Sequence, residues 1–363
     1  MQFFMPTKLY IEHEAVMNHA AELAALGTRA LIVTGRYSAA KNGSLADVKA
    51  ALESFSVRYD IFPEIEENPS VDTVMKGRDF GMKCGADFVV GIGGGSALDA
   101  AKAIALMIKQ SDKSVNYLYE PGGSDAALPV VCVPTTCGTG SEVTSVFILT
   151  RHELRAKGSS PHKLFPTLAL VDGKYLSSAP RNVLNDTAID ALGHLIESHI
   201  NIKATDMTRM LTLEGLRVWS RSRDILTGER TPDENDYLEM MTASTLGGMA
   251  IAHTGTTLPH GLSYGITYEM GMPHGKAIGY FLAGYLAAAP ADLTKEVLDI
   301  IDFGSPEEFR EFYRTVCNPY TVPDDLIITV VDGIMRRGDK LAPCPFETSR
   351  QVVENIAFYM KKG

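Results

Sequence analysis

A chain of 363 residues, 45% of them hydrophobic, can bury a large core and is long enough for two domains. Its 44 acidic against 34 basic residues leave a formal charge of -10, which excludes nucleic acid as the main ligand in the absence of any dense basic run. Five cysteines at irregular spacing (Cys84, Cys132, Cys137, Cys317, Cys344) argue against a disulfide framework and for a reducing compartment.

The opening MQFFMPTKLYIEHEA carries a proline and charges where a signal peptide needs an unbroken apolar core, so the expected location is cytoplasmic. RALIVTG, from Arg29 to Gly35, reads as a strand, LADVKAALESF as a helix and VRYDIF as a second strand. Strand, helix and strand in succession predict a parallel, doubly wound sheet. After ENPS come an amphipathic helix from Val71 to Cys84 and the strand DFVVGI.

That strand runs into GGGSALDAAKAIALMI. Gly93, Gly94 and Gly95 let a backbone approach a ligand closely, and Ser96 with Asp99 three residues on has the pattern of a capping box. Free amides at such a helix start suit a pyrophosphate. The spacing is neither G-x-G-x-x-G nor a Walker loop. The next strand, LPVVCV, leads into PTTCGTGSEVTS, whose hydroxyls and amides suit phosphate or ribose oxygens. Two such loops, each directly after a buried strand, predict a dinucleotide crevice. Beyond VFILT, RHELRAKGSSPHK reads as an exposed hairpin, and FPTLALVD closes the sheet.

From about Ser178 β-branched runs vanish, and segments such as DMTRMLTLEGLRVWSRS and GKAIGYFLAGYLAA read as helices. The most apolar window, AIGYFLAGYLAAAPA, is too short and too rich in glycine to span a membrane. The expected organisation is an α/β dinucleotide-binding domain over 1–178 and an all-helical metal and substrate domain over 179–363, with the ligand cleft between them. Within the helical half, LNDTAIDALGHLIES puts Asp190 and His194 on one helix face, half of a divalent-metal site. A lone D-x-x-x-H is more often a surface pair. His260 and His274, each between Pro and Gly in TTLPHGLSYGITYEMGMPHGKAIG, shift that balance and make up a four-ligand set. The G-x-S-x-G of Gly261, Ser263 and Gly265 lacks the strand-turn-helix setting of a hydrolase elbow and is set aside. His253, two helical turns before His260, reads as structural.

GGGSALDAAKAIA, PTTCGTGSEVT, DALGHLIES and HGLSYGITYEMGMPHGKA, in that order across nearly the whole chain, resemble the iron-containing (group III) alcohol dehydrogenase family. The resemblance implies an N-terminal α/β dinucleotide domain and a helical metal domain. It places the metal ligands on Asp190, His194, His260 and His274. It places the cofactor phosphates on Gly93, Gly94, Gly95 and Ser96, the nicotinamide side on Thr135, Thr136, Thr139 and Ser141, and further cofactor contacts on Asn68 and Lys157. Three positions depart from the family pattern. Tyr264 stands where many members carry a relay histidine, Ala188 replaces a glycine before the metal helix, and Gly35 replaces an aspartate after the first strand.

The implied activity is that of an NAD(P)-linked alcohol dehydrogenase or aldehyde reductase with a small primary alcohol or aldehyde as substrate. In it the metal, iron(II) or zinc, serves as a Lewis acid and the nicotinamide carries the hydride. A glycerol or polyol dehydrogenase and a lyase of the dehydroquinate synthase kind are the rival readings. With no carboxylate at Gly35, and with Arg36, Ser38 and Lys41 beside it, NADP(H) is expected over NAD(H). Tyr264 is expected as a pocket wall, with solvent relaying the proton, and the assembly as a homodimer or higher homo-oligomer.

Overall fold

The computed structural model describes residues 3–154 and 156–362. Two compact units divide the chain: Met5–Ala179 with Glu234–Met241, and Pro180–Asp233 with the chain from Thr242 onward.

The first unit is built on a six-stranded parallel sheet. Its strands are β1 (Lys8–Ile11), β2 (Arg29–Thr34), β3 (Arg58–Phe62), β4 (Phe88–Gly93), β5 (Val130–Pro134) and, after a separate β6 (Ile148–Arg151) and β7 (Ala156–Ser159), β8 (Leu168–Val171). The order across the sheet is β1-β8-β5-β4-β2-β3. β4 lies between β2 and β5, with Val90 opposite Ile32 on one side and Val131 on the other. Both faces are covered, which is why these strands read as unbroken apolar runs. Leu31, Val33 and Val89 pack on one face with Leu98 and Ile104 of the helix Gly95–Lys109. Ala30, Ile32 and Val90 pack on the other with Val48 and Leu52 of the helix Ser44–Ser54. Burying one such aliphatic side chain is worth roughly 1.5–3 kcal/mol.

Two features differ from expectation. FPTLALVD does not close the sheet, because β1 pairs on its outer side in register from Lys8 opposite Leu168 to Ile11 opposite Val171. KLYI is short and alternately polar, as an edge strand tolerates, and carries little local signal. The hairpin after VFILT does form, and its first strand is itself part of that run, since β6 pairs antiparallel with β7 from Ile148 opposite Ser159 to Arg151 opposite Ala156.

The second unit is helical among its described residues. Its axis is the helix Arg181–His199, in which every residue from Ala188 onward is buried. Two helices begin at the Pro-His-Gly repeats, Leu258–Met270 with its proline in the first turn and His274–Ala288 directly after Pro273, where the missing amide costs nothing. Both pack against Arg181–His199. A Cβ on Gly275 would lie 1.8 Å from the carbonyl oxygen of Asp186, so only glycine lets this helix start approach the Arg181–His199 backbone closely enough. Trp219 packs between helices and donates its indole N–H to the Ala188 carbonyl at 2.7 Å. No helix among the described residues is long and apolar enough to cross a membrane.

Candidate active site

Asp190 and His194 occupy successive turns of Arg181–His199, His260 the first turn of Leu258–Met270, and His274 the first residue of His274–Ala288. The three helices bring Asp190, His260 and His274 together, with His194 beside His260 and Asp190. His260 Nε2 lies 2.8 Å from His194 Nε2 and 3.6 Å from Asp190 Oδ1, and His194 Nε2 is 3.9 Å from the same oxygen. Asp190, His260 and His274 each place a ligand atom within 4.8 Å of the others. Asp190, His194 and His260 are buried, with His274 half-buried.

These residues fit a divalent cation. Asp190 Oδ1 is buried without a hydrogen-bond partner among the described residues, a cost normally met by an ion or a donor. Two imidazole nitrogens at hydrogen-bond distance share at most one proton when both rings are neutral, and a carboxylate with three imidazoles is a donor set suited to iron(II) or zinc. Burial pushes the Asp190 carboxyl up, but the charge of His194 and the contact with His260 outweigh it and hold the group well below the usual carboxylate range. Burial depresses His260, and Glu197 and Asp190 beside it together more than restore the loss, so its pKa is raised.

Glu197 was not singled out in the sequence. It is wholly buried, lies within hydrogen-bonding distance of His260 Nδ1, and holds the amide and hydroxyl of Thr257 at 2.7 and 2.9 Å. A signal existed: Glu197 stands seven residues after Asp190 and three after His194, a carboxylate on the same face of the helix. Tyr264, one turn beyond His260, stacks its ring on His274 with centroids 5.6 Å apart and planes 9° from parallel. Ser263 is buried and donates to the His260 carbonyl at 2.8 Å, inside a helix and unlike a nucleophile elbow. His253 stacks on Phe3 and is structural, as read from the sequence.

In the sheet unit the two loops meet. Gly93 has φ 149°, its carbonyl accepts the Thr135 amide at 3.0 Å, and a Cβ on Gly95 would fall 2.6 Å from Thr139 Cγ2. Thr136 sits over Gly94, with its hydroxyl 3.0 Å from where a Cβ would stand. Asn68, at a left-handed φ of 56°, gives its amide to Ser96 Oγ at 3.1 Å and takes Lys157 Nζ on Oδ1 at 2.5 Å, so Asn68, Ser96 and Lys157 form one group.

Asp99 and Ser141 are placed elsewhere. Ser141 Oγ donates to Asp99 at 2.6 Å and accepts from the fully buried Lys102 Nζ at 2.7 Å, while the other Asp99 oxygen takes the Ile148 amide at 2.8 Å. Both residues belong to a buried network beneath the loops. The capping box does not form either, because Gly94 is the N-cap and Asp99 is already engaged. Burial drives Asp99 up and Lys102 down, each opposed by the attraction of the other. Lys102, three residues after Asp99 in an alanine-rich helix, is the member the sequence reading passed over.

Gly35 ends β2. Arg36 lines a cleft of about 570 Å³ with Tyr37, Glu64, Ile65, Glu66, Thr73 and Lys76. Ser38 and Lys41, on the exposed turn Ser38–Lys41, are not among its lining residues, and Lys76 supplies the second cation instead. Burial raises Glu66, yet the Ser70 amide and the hydroxyls of Ser70 and Thr73 hold it below the ordinary glutamate range.

Residues 6–173 match the family model described as iron-containing alcohol dehydrogenase, and residues 185–302 match that of the Fe-containing alcohol dehydrogenase C-terminal domain. The chain belongs to the iron-containing alcohol dehydrogenase family. It is 30% identical over 297 residues to Aldehyde-alcohol dehydrogenase 2 of Entamoeba histolytica, a match spanning 77% of this chain and 33% of that longer protein. It is 29% identical to Sulfoacetaldehyde reductase of Bilophila wadsworthia over 76% of this chain and 72% of the relative. An iron-containing alcohol dehydrogenase structure from Thermotoga maritima superposes with a TM-score of 0.90 at 35% identity, covering 99% of each chain. The α/β unit with a parallel sheet and the helical unit are therefore those of the family, and its members are oxidoreductases.

Proposed function

We propose that this family member is a metal-dependent, NAD(P)-linked alcohol dehydrogenase or aldehyde reductase that acts on a small primary alcohol or aldehyde. The observation that carries the reading is the convergence of Asp190, His260 and His274, with His194 Nε2 beside Asp190 and His260, around a buried carboxylate oxygen that has no hydrogen-bond partner among the described residues. Relatives named as an aldehyde-alcohol dehydrogenase and a sulfoacetaldehyde reductase support a small carbonyl or alcohol as substrate.

Asp190, His194, His260 and His274 would hold iron(II) or zinc. When bound, the metal supplies Lewis-acid polarisation of a substrate oxygen and the nicotinamide supplies or accepts the hydride. The chain's own part is positioning and shielding. Burial of Asp190, His194 and His260 keeps water from the carboxylate and the imidazoles, so their charge and lone pairs act undiluted by solvent. Tyr264, flat against His274, walls the pocket and holds that ring in place. Gly93 to Gly95 expose amides at a helix start to the cofactor pyrophosphate, and Ser96, Asn68, Lys157, Thr135, Thr136 and Thr139 surround them with donors. Arg36, with Lys76 across the same cleft and no carboxylate at Gly35, supports NADP(H) as the preferred cofactor.

The same reading makes 1–178 the cofactor domain and 179–363 the metal and substrate domain, in a cytoplasmic homodimer or higher homo-oligomer. The test is a panel of simple alcohols, polyols and aldehydes assayed with NAD(H) and NADP(H) on enzyme loaded with iron(II) or zinc. Net formation of reduced cofactor from an alcohol is expected. Turnover without net change in the nicotinamide would replace the dehydrogenase by a lyase.

A further inference from the structure

The buried carboxylate behind the proposed metal centre has a task that its contacts define. We propose that Glu197 is a positioning residue that locks His260 in the tautomer with its proton on Nδ1, so that the Nε2 lone pair faces Asp190 and His194 and the site binds a divalent cation tightly. The proposal rests on the reading of His260 as a metal ligand.

An ionised carboxylate can only accept hydrogen bonds. Glu197 Oε2 faces His260 Nδ1, and its Oε1 takes the amide of Thr257 at 2.7 Å and the hydroxyl at 2.9 Å. The His260 amide also reaches Oε1, at 3.5 Å, so three donors hold that oxygen; Oε2 cannot donate to the Nδ1 that faces it, and the one proton of a neutral imidazole must therefore sit on Nδ1. The opposite nitrogen then offers its lone pair at the point where His194 Nε2 stands 2.8 Å away and Asp190 Oδ1 3.6 Å away. A carboxylate on the far side of a ligating imidazole fixes the ring's orientation and raises its basicity, and loss of such a partner typically costs roughly 10–100-fold in metal affinity.

Glu197 is itself well held. Thr257 is the N-cap residue of Leu258–Met270, so the carboxylate sits against the start of the helix that carries His260. Lys340 anchors the neighbouring residue, giving Nζ to Thr256 Oγ1 at 2.5 Å and to the Thr256 carbonyl at 3.2 Å, and its positive charge favours the ionised Glu197. Glutamine is nearly the same shape and cannot satisfy this pattern. With its oxygen toward Thr257, its NH2 group faces His260 Nδ1 and moves the ring proton to Nε2, the atom that should face the cation. With its oxygen toward His260, its NH2 group opposes the Thr257 amide.

The experiment compares metal-free wild type, Glu197→Gln and Glu197→Asp, all as full-length protein. Zinc and cobalt(II) affinities are measured by chelator competition, the visible absorption of the cobalt(II) forms is recorded, and the tautomer of His260 is read from nitrogen-15 shifts in the metal-free proteins, titrated to a pH at which the ring is neutral. We expect at least tenfold weaker binding and an altered cobalt spectrum for Glu197→Gln, an intermediate affinity for Glu197→Asp, unchanged thermal unfolding of the metal-free forms within a few degrees, and an Nδ1–H tautomer in the wild type that is lost in Glu197→Gln. Wild-type affinity in a folded Glu197→Gln variant would overturn the proposal. If the wild type binds no metal, the metal reading itself has failed, and the tautomer measurement still decides the positioning role. Should Glu197→Gln not fold, the wild-type tautomer decides alone, and a His260 found as Nε2–H overturns it.

Discussion

His260 Nε2 and His194 Nε2 face each other at 2.8 Å, 66 residues apart in the chain, with Asp190 Oδ1 within 4 Å of both. Such a cluster gains from a cation that accepts every lone pair at once. One metal per chain is expected, and His274→Ala should lower the metal content of purified protein to about a tenth or less at micromolar metal, since loss of a ligand should cost at least the roughly 10–100-fold in affinity that loss of a ligand's outer partner costs. Elemental analysis of the two proteins checks it, and equal content would remove His274 from the ligand set.

The proposed preference for NADP(H) turns on Gly35. A Cβ there would first meet the Ile65 carbonyl oxygen at 3.4 Å, an ordinary contact, so a side chain can be added without moving the backbone. Gly35→Asp would put a carboxylate where a 2′-phosphate is expected. We predict a swing of at least about tenfold in the NADH to NADPH ratio of kcat/KM, or about 1.4 kcal/mol, toward NADH. Steady-state kinetics with both cofactors measure the swing, and a wild type with the lower KM for NADH would defeat the premise.

Tyr264 runs nearly parallel to His274, 9° from it with centroids 5.6 Å apart, and is proposed as a pocket wall. An unperturbed phenol near pH 10 is poorly matched to deliver a proton at neutral pH. Tyr264→Phe should therefore keep turnover within about tenfold across the pH range. A loss of about 10²-fold or more with a flattened pH profile, the scale of a removed general acid, would assign the proton to the phenol.

Lys102 Nζ, without solvent exposure, donates to Ser141 Oγ and to the carbonyls of Thr144 and Val146 at 2.7, 2.9 and 3.0 Å, 3.8 Å from Asp99. It ties the second phosphate-type loop to the helix that begins at the first. Lys102→Met strands the Asp99 charge and should cost about 3–5 kcal/mol in chemical denaturation. A much smaller loss would mean that the pair is already neutral.

His199 is fully buried between Thr212 and Glu296, at 2.9 and 3.0 Å, and burial holds its pKa below the ordinary histidine value in spite of the carboxylate. The unfolded chain then binds the proton more readily than the folded one, so this contribution to stability is complete above about pH 6.5 and is lost as pH falls below it. Denaturation at pH 7.5 and 5.5 should show a smaller acid loss for His199→Gln than for the wild type. The slope removed cannot exceed about 1.4 kcal/mol per pH unit for one proton, and an unchanged slope would exclude His199 as its source.

The sequence by itself determined the parts of this protein whose signal is local. A strand covered on both faces must be apolar throughout, so β2, β4, β5 and β8 were legible as runs, and the glycines that follow β4 marked the helix start. Helical periodicity alone put Asp190 and His194 on one face, and the prolines flagged His260 and His274 as residues near helix starts. What only the tertiary structure decided is which of these ends meet. Gly275 against the Asp186 carbonyl seats His274 near Asp190. Asn68 reaches Lys157 across 89 residues, and Glu197 reaches His260 across 63. Asp99, which looked like a cap, was claimed by Ser141 and Ile148 from another loop. The edge strand β1 was hidden for the same reason: its order comes from pairing with β8, and no periodicity within four residues can encode a partner about 160 residues away.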